Sequence, residues 1–96
     1  MNQPIIEKYS SEKFVIGLQY FPPDLPANET IDAVDISVKP KGLILENDPI
    51  IEGNTVKQMI NGGMKLMNYV VAFQVKISTG NTFKNTILIK IIFVKI

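Results

Sequence analysis

The 96-residue sequence contains no cysteine, no histidine and no tryptophan, and its ten basic residues are all lysine, so arginine is missing as well. Without cysteine there are no disulfides, thiolate metal sites or thiol nucleophiles. Without histidine the chain lacks the usual general base near neutral pH and the commonest nitrogen ligand for transition metals. Without arginine it lacks the bidentate fork that grips phosphate and carboxylate. Ten lysines face nine carboxylates, a formal charge of +1 with no long block of one sign. The counterion-release force for nucleic-acid binding is therefore weak, and no nucleic-acid partner is expected. No apolar run approaches the ~20 residues of a membrane-crossing helix, and no signal-peptide pattern opens the chain. The sequence predicts a soluble protein without a membrane partner or an export signal of its own.

What is present is alternation. In Tyr69 to Ile77, the residues Tyr69, Val71, Phe73, Val75 and Ile77 share one parity, while Gln74 and Lys76 take the other. This period of two marks a strand with one buried face. Ser78 to Thr82 supplies turn chemistry, and Thr86 to Val94, rich in β-branched residues, reads as the returning strand of a hairpin. Earlier strands are predicted over Phe14–Phe21, stopped by Pro22-Pro23, and over Ile31–Val38. In the latter Ile31 lies out of phase, which predicts a bulge or edge switch near Ala33. Two fragments, Leu43–Glu46 and Ile50–Glu52, are followed by Thr55–Ile60, where Asn61-Gly62-Gly63 favours strand over helix.

About seven short strands with regular turn signals predict an all-β, immunoglobulin-like antiparallel β-sandwich. Residues 14–96 form that domain, and 1–13 form an N-terminal arm, loose alone but ordered against a neighbour through Ile5, Ile6 and Tyr9. Tyr69, heading a strand after a loop, is placed like the corner tyrosine of such folds. A core tyrosine without a special role is the alternative.

Catalytic candidates are few. Ser10, Ser11, Ser37 and Ser78 have no histidine to activate them. The acids Asp24, Glu29, Asp32 and Asp35 offer oxygen ligands of the kind calcium takes, but match no EF-hand spacing, and solvated loop charge is the ordinary explanation. Gly62-Gly63 lacks the order of a phosphate loop and reads as a turn needing positive φ or close backbone approach. Met59, Met64 and Met67 either fill the core or form an adaptable binding surface. No enzyme activity and no cofactor are expected. The final stretch is apolar on both parities, Ile87, Ile89, Ile91 and Phe93 against Leu88, Ile92, Val94 and Ile96, so one face or edge calls for a cover. The arm of the same chain or a neighbouring subunit would supply it. Ile5, Ile6, Tyr9, Ile91, Ile92, Phe93, Val94 and Ile96 are accordingly the candidate partner-binding residues.

Asp24-Leu25, Glu29-Thr30-Ile31, Gly62-Gly63, Tyr69 and Gly80, with apolar Ile87 and Ile89 closing the set, occur in an order and spacing that resembles a family of tailed phages. Its members are small immunoglobulin-like virion proteins, described as fibre-to-tail or head-tail adaptors. The resemblance spans residues 18 to 91. It implies a non-enzymatic structural protein of a phage or prophage particle, present in several copies and assembled in the bacterial cytoplasm. Such a protein would join tail, neck or fibre components through its strand edge and terminal arm, with other virion proteins as partners. The competing reading is an immunoglobulin-like module that recognises carbohydrate or a cell surface. Sugar recognition leans on exposed aromatics, and this chain has only eight aromatic residues, none of them tryptophan.

Overall fold

A computed structural model describes residues 3–92. Seven strands follow one another: β1 (Ile5–Tyr9), β2 (Lys13–Gln19), β3 (Ile31–Lys39), β4 (Leu43–Glu52), β5 (Thr55–Gly62), β6 (Asn68–Ile77) and β7 (Thr82–Ile92). One sheet has the order β1-β7-β6-β3 and the other β2-β5-β4. The pairings β2–β5 and β3–β6 join strands distant in sequence, the Greek-key connectivity of an immunoglobulin-like sandwich.

The two sheets bury the residues that alternation singled out. Tyr69, Val71, Phe73, Val75 and Ile77 of β6 and Ile87, Ile89 and Ile91 of β7 pack against Ile16, Val56 and Ile60 of the facing sheet. Burying each such aliphatic or aromatic side chain contributes about 1.5–3 kcal/mol against the entropy of ordering the chain. On β7 the same parity rule turns Leu88 and Ile92 outward and leaves them half-buried.

The irregularities have physical causes. The register of β3 against β6 shifts between Ile31 and Ala33, where the out-of-phase isoleucine predicts a bulge; the shift lets Ile31 reach the core. The fragments at 43–46 and 50–52 are one strand, β4, whose pairing with β5 is broken between Glu46 and Ile50. Asn47 adopts a φ of 64° there. Buried Gln58 holds this bulge, its side-chain amide donating to the carbonyls of Glu46 (3.0 Å), Asn47 (3.2 Å) and Met59 (2.9 Å).

Of the two covers considered for the last strand, the N-terminal segment of the same chain is the one seen here. Residues 5–9 form a strand running parallel to β7, with Ile5 beside Leu88 and Tyr9 beside Ile92. The neighbour that orders them is the chain's own last strand. Their alternation is concealed because the second inward position is a lysine, Lys8, on the same side as Ile6.

Candidate partner-binding surface

Four segments meet at one end of the sandwich: the end of β1, the turn after β5, the loop 63–67 and the end of β7. Gly62 and Gly63 turn the chain with φ of 75° and 101°. A Cβ on Gly63 would sit 2.7 Å from Ile91 Cδ1, and one on Gly42 2.6 Å from Tyr69 Oη. Glycine is required at both places because backbone passes directly over the buried side chains of Tyr69 and Ile91. The Tyr69 hydroxyl accepts a hydrogen bond from the Met64 backbone N–H at 2.9 Å, so this tyrosine does cap the loop that precedes its strand.

The first strand is tied to the same turn. Lys8 is fully buried, and its ammonium donates to the carbonyls of Gly62 (2.7 Å), Tyr9 (2.8 Å) and Ser10 (3.2 Å), using all three of its donors. Burial lowers its pKa from the ordinary lysine value, opposed by the nearby Glu12 carboxylate. Ser10 Oγ donates to the Gly63 carbonyl at 2.6 Å. Ser10 and Lys13 stand at the Ser-x-x-Lys spacing of some hydrolases, but each has another partner here: Ser10 Oγ the Gly63 carbonyl, and Lys13 Nζ the Glu46 carboxylate at 2.9 Å.

On this braced base stands an apolar tip. Met67 N donates to Met64 O at 3.1 Å, closing a turn that is fastened to β7 by Ile91 N donating to Met67 O at 3.0 Å. Leu66 in that turn has φ of 65° and is 76% exposed. A left-handed backbone is unfavourable for a branched side chain, and exposure of a leucine gains nothing in the isolated protein. Met64 and Met67 are exposed beside it, and Tyr9 and Ile92 are paired neighbours at the same end.

The candidate residues divide. Ile5, 64% exposed, and Tyr9 lie on the outer side of β1, and Ile92 is half-buried at the end of β7. Ile6 points inward and packs on the core, and Ile91 is part of that core. Phe93, Val94 and Ile96 lie outside the described residues. Met64 and Met67, which the sequence offers as either core filling or an adaptable binding surface, are exposed here, whereas Leu66 falls outside the candidate set, because a short Met-Lys-Leu-Met-Asn loop carries no periodicity and the exposed φ > 0 leucine is visible only in three dimensions.

The acidic residues do not converge. Ser78 Oγ donates to the Glu29 carboxylate, and Asp32 accepts from Thr30 Oγ1 at 3.0 Å. Among the described residues no three acids gather as a metal would need.

At the opposite end Tyr20 is buried and its hydroxyl donates to Asn85 Oδ1 at 3.1 Å, linking the chain after β2 to β7. Burial raises its pKa above the ordinary tyrosine value, and Asp24 adds to the rise. The depression around Tyr20, Phe21, Asp24 and Asn85 has a volume of about 200 Å³.

No protein of curated description matches the chain. A family model described as Podophage GP4 fiber-tail adaptor protein gp77 matches residues 9–90, from the end of β1 almost to the end of β7. That match takes in the whole sandwich from β2 to β6, the glycine turn and the capping tyrosine, and the chain belongs to this family of podophage fiber-tail adaptor proteins.

Proposed function

We propose that this virion structural protein acts, without catalysis, as a joint between tail and fibre components, and that it makes the joint with the end of the sandwich carrying Leu66. The observation that supports this reading is the combination of a strained, exposed leucine with the rigid base beneath it. Strain at an exposed apolar residue is retained when the residue is used in binding. Tyr9, Met64, Met67 and Ile92 widen the tip into a contact surface of aromatic, aliphatic and thioether groups, the residue types that anchor protein interfaces. Ile5, beside Leu88 on the outer face of the same sheet, continues it along the edge of β1. Phe93, Val94 and Ile96 follow directly in the sequence and belong to the proposed contact. Several copies act together in the particle, which is put together in the bacterial cytoplasm.

The test is reconstitution. Tails assembled without this protein are mixed with purified wild-type chain or with the Leu66→Asp variant, and fibre attachment is counted by electron microscopy. Wild-type protein restores fibres and the variant does not, although its melting temperature is not lowered. Full restoration by Leu66→Asp would show that the joint lies elsewhere.

A further inference from the structure

A sandwich of two open sheets has four edges, and three of them carry features that discourage pairing with other chains. The edge strand β3 has a bulge and exposed Asp32 and Asp35. The edge strand β4 is interrupted over Glu46–Ile50, with Asp48-Pro49 inside the break. The edge strand β1 is only five residues long and is polar at Glu7 and Lys8. These are the devices by which proteins keep an edge unpaired.

The fourth edge, β2, has no bulge, break or proline, and its only charged residue is Lys13 at its first position. Its seven residues, Lys13-Phe14-Val15-Ile16-Gly17-Leu18-Gln19, pair in unbroken register with β5 and, among the described residues, with nothing on the other side. In the usual immunoglobulin arrangement the first strand lies along this edge. Here the first strand is given to β7 instead, so the place beside β2 is left open. The consequence is visible in burial: Ile16 is buried, but Phe14 and Leu18, which also face the core, are only partly buried, and Val15 on the outer face is 50% exposed.

We propose that two copies of this chain pair antiparallel along β2, about a twofold axis at Ile16, joining two three-stranded sheets into one continuous sheet. The β2 sequence is complementary to its own reverse in this register. Phe14 lies opposite Leu18 of the second copy, so the two half-covered core-facing side chains cover each other. Val15 lies opposite Gly17 of the second copy, a branched side chain over a position that has none. Lys13 lies opposite Gln19 of the second copy, so no like charges are directly opposed. A twofold contact of this kind uses one surface twice and closes on itself, giving a dimer and not a fibre. Seven residues make a short seam, so the dimer is weak in isolation and depends on concentration. This pairing uses a different edge from the Leu66 tip and stands whether or not that tip holds a fibre.

The test is the mass of the full chain in solution over a concentration series, by sedimentation, for wild type, Val15→Lys and Ile44→Lys. Val15 and Ile44 are both about half-exposed, the first on β2 and the second on β4. Across the twofold axis Val15→Lys brings two ammonium groups onto the same face of the seam, diagonal to each other. The expected result is a monomer–dimer equilibrium for wild type and Ile44→Lys, with the dissociation constant raised about tenfold or more in Val15→Lys and the melting temperature unchanged at concentrations where the protein is monomeric. Hydrogen exchange on the wild-type chain provides a reading that needs no variant: amide protection in residues 13–19 rises with concentration. A monomer at every concentration, a dimer indifferent to Val15→Lys, or concentration-dependent protection on β1 or β3 in place of β2 would overturn the proposal.

Discussion

The Lys8 ammonium donates to the Gly62 carbonyl at 2.7 Å, and this contact joins the edge strand of one sheet to the central strand of the other. At the far end the Tyr20 hydroxyl and Asn85 make the corresponding connection at 3.1 Å. Each end of the sandwich is thus closed by one buried polar side chain whose partner lies across the gap between the sheets. Apolar packing in the middle is non-directional, whereas these two contacts have fixed geometry and set how the sheets meet at their ends.

Replacing Lys8 by methionine keeps most of the aliphatic stem but leaves the Tyr9, Ser10 and Gly62 carbonyls without their shared donor. Lys8→Met is expected to lower stability by about 1–3 kcal/mol, measured as a shift in the urea midpoint. Lys8→Arg is expected to recover little, because a planar fork cannot take the place of a compact ammonium among three carbonyls.

Tyr20 gives a pH dependence with a definite sign. Its pKa is raised on folding from the ordinary 10.0, burial being the larger cause and Asp24 the smaller. Above pH 10 the unfolded chain loses the phenol proton while the folded chain keeps it. The native state then binds more protons, and stability falls as pH rises. Below pH 10 the contribution is fully present. Tyr20→Phe should show a shallower loss of stability than wild type through this alkaline window; parallel curves would refute the assignment.

The glycines allow strain and steric overlap to be separated. Gly53 has φ of 60°, and a Cβ added to it would meet nothing within 4 Å, whereas Gly63 has φ of 101° and a Cβ there would overlap Ile91. Gly53→Ala should cost about 1–2 kcal/mol, the left-handed backbone alone. Gly63→Ala should cost about 2–5 kcal/mol, since overpacking against a core isoleucine adds to the strain. Equal losses in thermal or urea unfolding would mean that the close approach to Ile91 relaxes freely.

Strict alternation made the sandwich legible from the sequence. In β6 every inward position is apolar, and the out-of-phase Ile31 marks the β3 bulge without further information. The pattern failed at β1, where a polar residue occupies an inward position. Lys8 hides β1 because a buried lysine looks like a solvent-facing one until its three carbonyl partners are known. Gln58 sits at an inward position of β5 for a similar reason, serving the β4 bulge, and that bulge made one strand look like two fragments. The proposed contact surface includes residues the sequence also singled out, Tyr9 and the outward residues of the two-sided apolar pattern of β7. Leu66 was not among them, since its meaning lies in a backbone angle and an exposure that no spacing encodes.

Leu66 also allows binding and stability to be moved in opposite directions. At φ of 65° a leucine is strained by about 1–2 kcal/mol, and asparagine tolerates the same backbone far better. The side chain is 76% exposed, so the isolated protein loses almost no burial when it is replaced. Leu66→Asn should therefore raise the melting temperature while weakening fibre attachment, measured by the dose of protein needed to restore fibres to tails that lack it. A residue kept only for packing would behave in the opposite way, with stability falling and attachment following it down. If Leu66→Asn stabilises the chain and leaves attachment intact, the strain has another purpose and the tip does not make the joint.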